Sequence, residues 1–312
     1  MSLTKNSVVF PGQGSQYIGM LSDYFKTEFS FKNTFVKASE ILSINLLELI
    51  ENGTEEKLAN TEITQPLMLV ADVALWNLIS NRIDKPICLA GHSLGEYAAL
   101  VASEALSFED SLYLVKNRAK LMQEAVPDGS GGIAAIIGLN EEKIISICEK
   151  ISTDPLYFVS PANLNTQNQI VISGTKLGVN TAIEKCKERG AKRAIPLAMS
   201  IPSHCSLMKD AAKLFQSILQ KVNLNRPKIP VLQNVDSRFE NEVDQIKNKL
   251  VQQIYKPVRW EDTINAISKL GTERILECGP GKVLSGLTKR ILPDVIAFDL
   301  DNYNNYLTLL NE

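Results

Sequence analysis

The sequence predicts an α/β fold in which a parallel sheet carries a serine on a sharp strand-to-helix turn and a smaller βαββαβ subdomain is inserted. Three observations predict it. A short apolar run after Pro86 leads straight into Gly91-His92-Ser93-Leu94-Gly95 and then into a helix rich in alanine and leucine. Further buried-strand patterns occur at 7–10, 229–233 and 274–278. Between 128 and 198 the element order is strand, helix, strand, strand, helix, strand.

Residues 7–10 run into Pro11-Gly12-Gln13-Gly14. Position 17 is Tyr17 rather than a third glycine, and no P-loop lysine follows, so the loop does not fit a nucleotide fingerprint. It is either a tight turn or a loop that brings the Gln13 amide to a reacting centre as an oxyanion donor. Polar, helix-forming sequence continues to residue 59. Residues 61–66 then open an apolar helix running to 79, in which Gln65, standing before a proline, is expected to be extended.

Gly91-His92-Ser93-Leu94-Gly95 fits the G-x-S-x-G pattern. Glycine suits its two ends because a side chain there would collide with the neighbouring strand or helix. Such a turn exposes the Ser93 hydroxyl as a nucleophile and turns the Leu94 amide, at the positive end of a helix, toward whatever the hydroxyl attacks. An incidental serine in a glycine-rich turn is the alternative.

Residues 108–125 read as a long helix on which Arg118 has Leu114, Val115, Leu121 and Met122 as its neighbours one turn away. A guanidinium on an apolar face needs an anion. Either an internal Asp or Glu supplies it or a substrate carboxylate does, for which the planar fork of arginine is well shaped.

Polar, glycine-rich sequence at 127–130 marks a boundary. Strands at 132–139, 156–161, 169–173 and 192–197 and helices at 141–151 and 177–189 give a split βαβ, ferredoxin-like unit. The expected domains are 1–127 with 199–312, and 128–198. In the segment that follows, Ser203 suits a helix N-cap, which places His204 in the first helical turn. The chain has only two histidines, and His92 is too close in sequence to turn its ring onto Ser93. An imidazole base for Ser93 is therefore His204, kept neutral by the helix N-terminus, unless it is only a surface cap. A helix ending near Pro257 and a βα turn at Gly279-Pro280-Gly281-Lys282, without the upstream glycine of a P-loop, complete the chain.

Composition narrows the classes. With 312 residues, 45% of them hydrophobic, the chain can bury a sizeable core. A net charge of -2 gives no reason to expect a nucleic-acid partner. The five cysteines are scattered and never spaced C-x-x-C, so neither disulfides nor a metal site is expected, and a reducing cytoplasm fits. The start MSLTKNSVVF lacks the apolar core of a signal peptide, and the run at 66–76 is too short to span a membrane and contains Asp72.

Five stretches stand in order: FPGQGSQ from Phe10, TQP from Thr64, GHSLGE from Gly91, NRAKLMQ around Arg118 and IPSHCSLM around His204. Together with QQIYKPVRW and GPGKVLSGL they cover nearly the whole chain. The set resembles the malonyl-CoA:acyl carrier protein transacylases of fatty acid synthesis. The resemblance implies a hydrolase-like α/β domain with a ferredoxin-like insertion, Ser93 as the acylated nucleophile and His204 as base and acid. It also implies that the Gln13 and Leu94 amides form the oxyanion hole and that Arg118 holds the malonyl carboxylate. Gln65 and Asn163 would line the site, and the main-chain carbonyl of Gln253 would steady His204. The implied partners are malonyl-CoA and acyl carrier protein, with no metal or other cofactor, and a cytoplasmic monomer is expected. A serine hydrolase or thioesterase acting on small acyl esters, and a noncatalytic carrier-docking module, are the alternatives.

Overall fold

The computed structural model describes residues 4–197 and 201–311. The expected boundary at 198/199 and the Met199-Ser200 pair lie outside the described residues. In chain order the first half contains β1 (Asn6–Phe10), α1 (Ser22–Thr27), α2 (Phe29–Leu42), α3 (Leu46–Asn52), α4 (Glu55–Ala59), α5 (Thr61–Ile79), β2 (Leu89–Gly91), α6 (Gly95–Ala102) and α7 (Phe108–Glu124). Then come β3 (Gly131–Ile137), α8 (Glu141–Ile151), β4 (Val159–Thr166), β5 (Gln169–Thr175), α9 (Lys176–Glu188) and β6 (Arg193–Pro196). The last part contains α10 (Lys209–Leu219), β7 (Val231–Leu232), α11 (Val243–Tyr255), α12 (Trp260–Lys269), β8 (Arg274–Glu277), α13 (Val283–Ile291), β9 (Ile296–Asp299) and α14 (Tyr303–Leu310).

Five strands form one sheet in the order β7-β2-β1-β8-β9, every pair parallel. Parallel sheets are covered on both faces, so the middles of their strands are mostly apolar. Successive side chains point to opposite faces. Val8, Phe10 and Leu276 accordingly join the large core against the helices of the first half, while Val9 and Ile275 join a second cluster with Trp260, Ile264 and Leu284. The second sheet, β4-β5-β3-β6, is antiparallel. One face, with Ala134, Ile136 and Ile172, packs on α8 and α9 through Ile144, Cys148 and Val179. Ile133, Ala135 and Val171 point the other way.

Several expectations are corrected. Gln65 is helical, not extended, because Pro66 sits inside α5. The proline removes one helical hydrogen bond, costing about 3 kcal/mol. Burying Leu67, Met68, Leu69 and Val70 completely offsets this, at about 1.5–3 kcal/mol each. The strand expected at 156–161 begins only at Val159, because Asp154 caps a 3-10 turn at Pro155–Tyr157. Ser203 does not cap a helix. A 3-10 turn at Ser206–Met208 precedes α10, and His204 lies ahead of both with a left-handed φ of 61°. Finally, β9 and α14 lie beyond the last expected element.

Candidate active site

Ser93 sits in the turn between β2 and α6 with φ 52°, a left-handed conformation that a serine adopts only under constraint. The constraints are local. A Cβ on Gly91 would run into the backbone of Gly95, so the strand enters the helix without clearance. A Cβ on Gly12 would strike the His92 carbonyl, so the loop after β1 presses directly on the turn. Asn234, just beyond β7, clamps the turn from the other side: its Oδ1 accepts from the Ser93 amide at 2.7 Å and its Nδ2 donates to Gly91 O at 2.7 Å.

The Ser93 hydroxyl lies 2.8 Å from His204 Nε2. Nδ1 of His204 lies 2.6 Å from the main-chain carbonyl of Gln253, which can only accept, so the proton is on Nδ1 and the Nε2 lone pair faces Ser93. Burial, and then the Arg118 charge, push the imidazole down to about 3. It is neutral for that reason and not through a helix terminus. His92 points elsewhere: its Nε2 bonds Asn165 Oδ1 at 2.9 Å and its ring meets the edge of Trp260.

Arg118 is 1% exposed. Its guanidinium donates to Gln65 Oε1 at 2.6 Å, Gln253 Oε1 at 3.0 Å and Ser93 Oγ at 3.1 Å, and lies over the Tyr97 ring. These hydrogen-bond partners are two amide oxygens and a hydroxyl, with no carboxylate among them. Gln65 in turn donates to Thr61 Oγ1, which donates to Gln13 Oε1. That chain ties the Gln13 loop to the arginine.

Gln13, Gln65, Ser93, Leu94, Arg118, Asn163 and His204 all line one cavity of about 370 Å³ between the two sheets, and Ile133, Ala135 and Val171 of the small sheet close its far wall. Gln253 is buried behind it, reaching the site through its carbonyl and its carboxamide. Among the described residues, the main-chain amides of Gln13 and Leu94 donate to no group of the chain. They are free to bind a ligand oxygen.

Reasoning from sequence missed Asn234 and Glu96. The Glu96 carboxyl is fully buried in α6, where burial pushes it up to about 7, and its Oε2 accepts from Gln253 Nε2 at 2.8 Å and from the Asn234 amide at 3.2 Å. A signal existed for it, since an acid stands alone in an alanine- and leucine-rich helix. Asn234 carried none, because it stands just past the strand expected at 229–233 with no motif around it.

No group of three or more metal-ligating side chains occurs among the described residues, and no described helix is long and apolar enough to cross a membrane. The five cysteines are buried free thiols.

A mixed α/β fold with a buried cation beside a serine and an imidazole defines an enzyme of the acyl-transferring class. The chain belongs to the acyl transferase domain family, whose match spans residues 8–291. It is 45% identical over 307 residues to the malonyl CoA-acyl carrier protein transacylase of Haemophilus influenzae, covering 97% of both chains. Among solved structures, a malonyl-transacylase in complex with its type II PKS acyl-carrier protein superposes with a TM-score of 0.96 at 43% identity, covering 99% of both chains. The malonyl CoA-acyl carrier protein transacylase of Coxiella burnetii matches equally well, with a TM-score of 0.96 at 42% identity over 99% of this chain and 98% of that one.

Proposed function

We propose that this protein moves the malonyl group of malonyl-CoA to the phosphopantetheine thiol of acyl carrier protein through a malonyl ester on Ser93. The observation that carries this reading is the buried Arg118 fork, 3.1 Å from the Ser93 hydroxyl. A cation that close to the attacking oxygen suits an acyl group with its own carboxylate a short reach from the thioester carbonyl, as in malonyl.

His204 Nε2 takes the Ser93 proton while Oγ attacks the thioester carbonyl. The Gln13 and Leu94 amides hold the resulting oxyanion, each worth about 10²–10³ in rate. The C–S bond breaks, and coenzyme A leaves as a thiol with the proton from His204. The carrier thiol then enters, His204 deprotonates it, and the same steps run in reverse to release Ser93. Gln65 orients Arg118, Asn163 lines the acyl pocket, and the Gln253 carbonyl fixes the His204 tautomer. Thioester-to-ester exchange needs acid, base and oxyanion stabilisation, so we assign no metal or other cofactor. The enzyme acts as a monomer in the cytoplasm.

In architectural terms, we read the turn at Ser93 as a nucleophile elbow on a hydrolase-like domain spanning 1–127 and 199–312. The unit at 128–198 is a ferredoxin-like insertion, supported by the β4-β5-β3-β6 order with α8 and α9 on one face.

Incubation with malonyl-CoA and a purified acyl carrier protein tests the function. Carrier-bound malonyl is expected, and Arg118→Ala should lower that transfer by about 10²-fold while gaining acetyl transfer relative to it. Release of free malonate without carrier loading would make the protein a hydrolase instead.

A further inference from the structure

Arg118 has only donors, whereas Glu96 Oε2 and the Ser93 main-chain carbonyl are acceptors. The Gln253 carboxamide lies between them, with Nε2 donating to Glu96 Oε2 and to Ser93 O, both at 2.8 Å, and Oε1 accepting from Arg118 at 3.0 Å. Its orientation is therefore dictated: the nitrogen must face the two acceptors, which leaves the oxygen for the guanidinium. Turned the other way, it would set an N–H against Arg118 and a carbonyl against a carboxyl. Glu96 itself is fully buried and lines no part of the cavity. Whether or not its other oxygen carries a proton, Oε2 remains an acceptor.

We propose that Glu96 is a positioning residue for acyl selection: by accepting from the Gln253 carboxamide it holds that amide's oxygen on Arg118 and so fixes the fork that receives the acyl carboxylate. This rests on the malonyl-transfer reading above. An acetyl group makes no use of the fork, so the effect shows in the ratio of kcat/KM for malonyl-CoA to that for acetyl-CoA rather than in overall activity.

The test compares wild type, Glu96→Met and Glu96→Gln by that ratio in the intact protein. Methionine fills the volume without an acceptor, and the ratio is expected to fall about tenfold or more. Glutamine can still present an oxygen to Gln253 and should restore the ratio to within about threefold of wild type. If Glu96→Met does not fold, Gln253→Met cuts the same relay while keeping the main-chain carbonyl on His204, and the same fall is expected. Loss on both substrates with an unmoved ratio overturns the inference, as does a folded Glu96→Gln that restores nothing. A wild-type protein without malonyl transfer overturns the functional reading and this inference with it; a normal wild type with a ratio unmoved by either methionine variant overturns this inference alone.

Discussion

His204 is a base whose protonation is set by what surrounds it. Burial and then the Arg118 charge hold its imidazole near 3, far below the ordinary value of about 6.5. In the free enzyme it therefore stays neutral well into acid. The expected pH profile of kcat/KM for malonyl-CoA is flat from about pH 7 down to about pH 5, with no break near 6.5. Arg118→Ala should raise the acid limb, because the cation disfavours imidazolium. A break between about pH 6 and 7 that persists when Glu96, itself pushed up to about 7, is replaced by Gln would contradict this environment. At this scale the sequence was informative about identity and silent about direction. Two histidines and one serine in a G-x-S-x-G pattern left little choice of pair. The left-handed turn that aims His204, and the partners of Arg118, depend on Gln65 and Gln253, which stand 53 positions before the arginine and 135 after it.

Between elements, the loop after β1 and the turn after β2 form one unit because their strands are neighbours in the sheet, with Val8 opposite Leu89 and Phe10 opposite Gly91. Gly12 lets the loop touch the His92 carbonyl, and this contact brings the Gln13 and Leu94 amides to one cavity. Gly12→Ala should push the loop away and lower kcat by about 10²–10³-fold, with much less change in KM, since the oxyanion forms only after the substrate is bound. Unchanged steady-state kinetics would show that the loop donates nothing. Long periodic elements such as α7 and α8 were legible from pattern alone. Short ones were legible only in outline: the strand expected at 229–233 shrinks to the two residues of β7, the three-residue β2 is read from its place before the G-x-S-x-G turn, and β9 is missed, because the sheet around such strands outweighs their own residues. Pro66 misled for the related reason that burial outweighs a local backbone preference.

Across the whole molecule, the large sheet and its helices bury acids that the catalytic proposal does not use. Asp72 in α5 lies against Pro11 and Gly279 with neither oxygen partnered among the described residues, and burial, reinforced by Glu277, pushes its carboxyl well above the usual range. A group that binds its proton more tightly when folded stabilises at low pH, and loses that contribution as pH rises from its unfolded value of about 3.9 toward its folded one. As pH rises above about 5, wild type should lose up to about 1.4 kcal/mol more stability per pH unit than Asp72→Asn, measured by denaturant unfolding. Parallel curves would mean that Asp72 is ionised in the fold. Every step of the proposed chemistry also requires the two sheets to be held together, as Ser173 Oγ bonding Ser203 O and His92 bonding Asn165 hold them. The central claim is that this assembly makes Ser93 the acyl carrier. Peptide mass spectrometry after brief exposure to malonyl-CoA should find a malonyl ester on Ser93 that a carrier thiol discharges and that Ser93→Ala abolishes. Malonyl on a cysteine, or transfer that continues in Ser93→Ala, would contradict it.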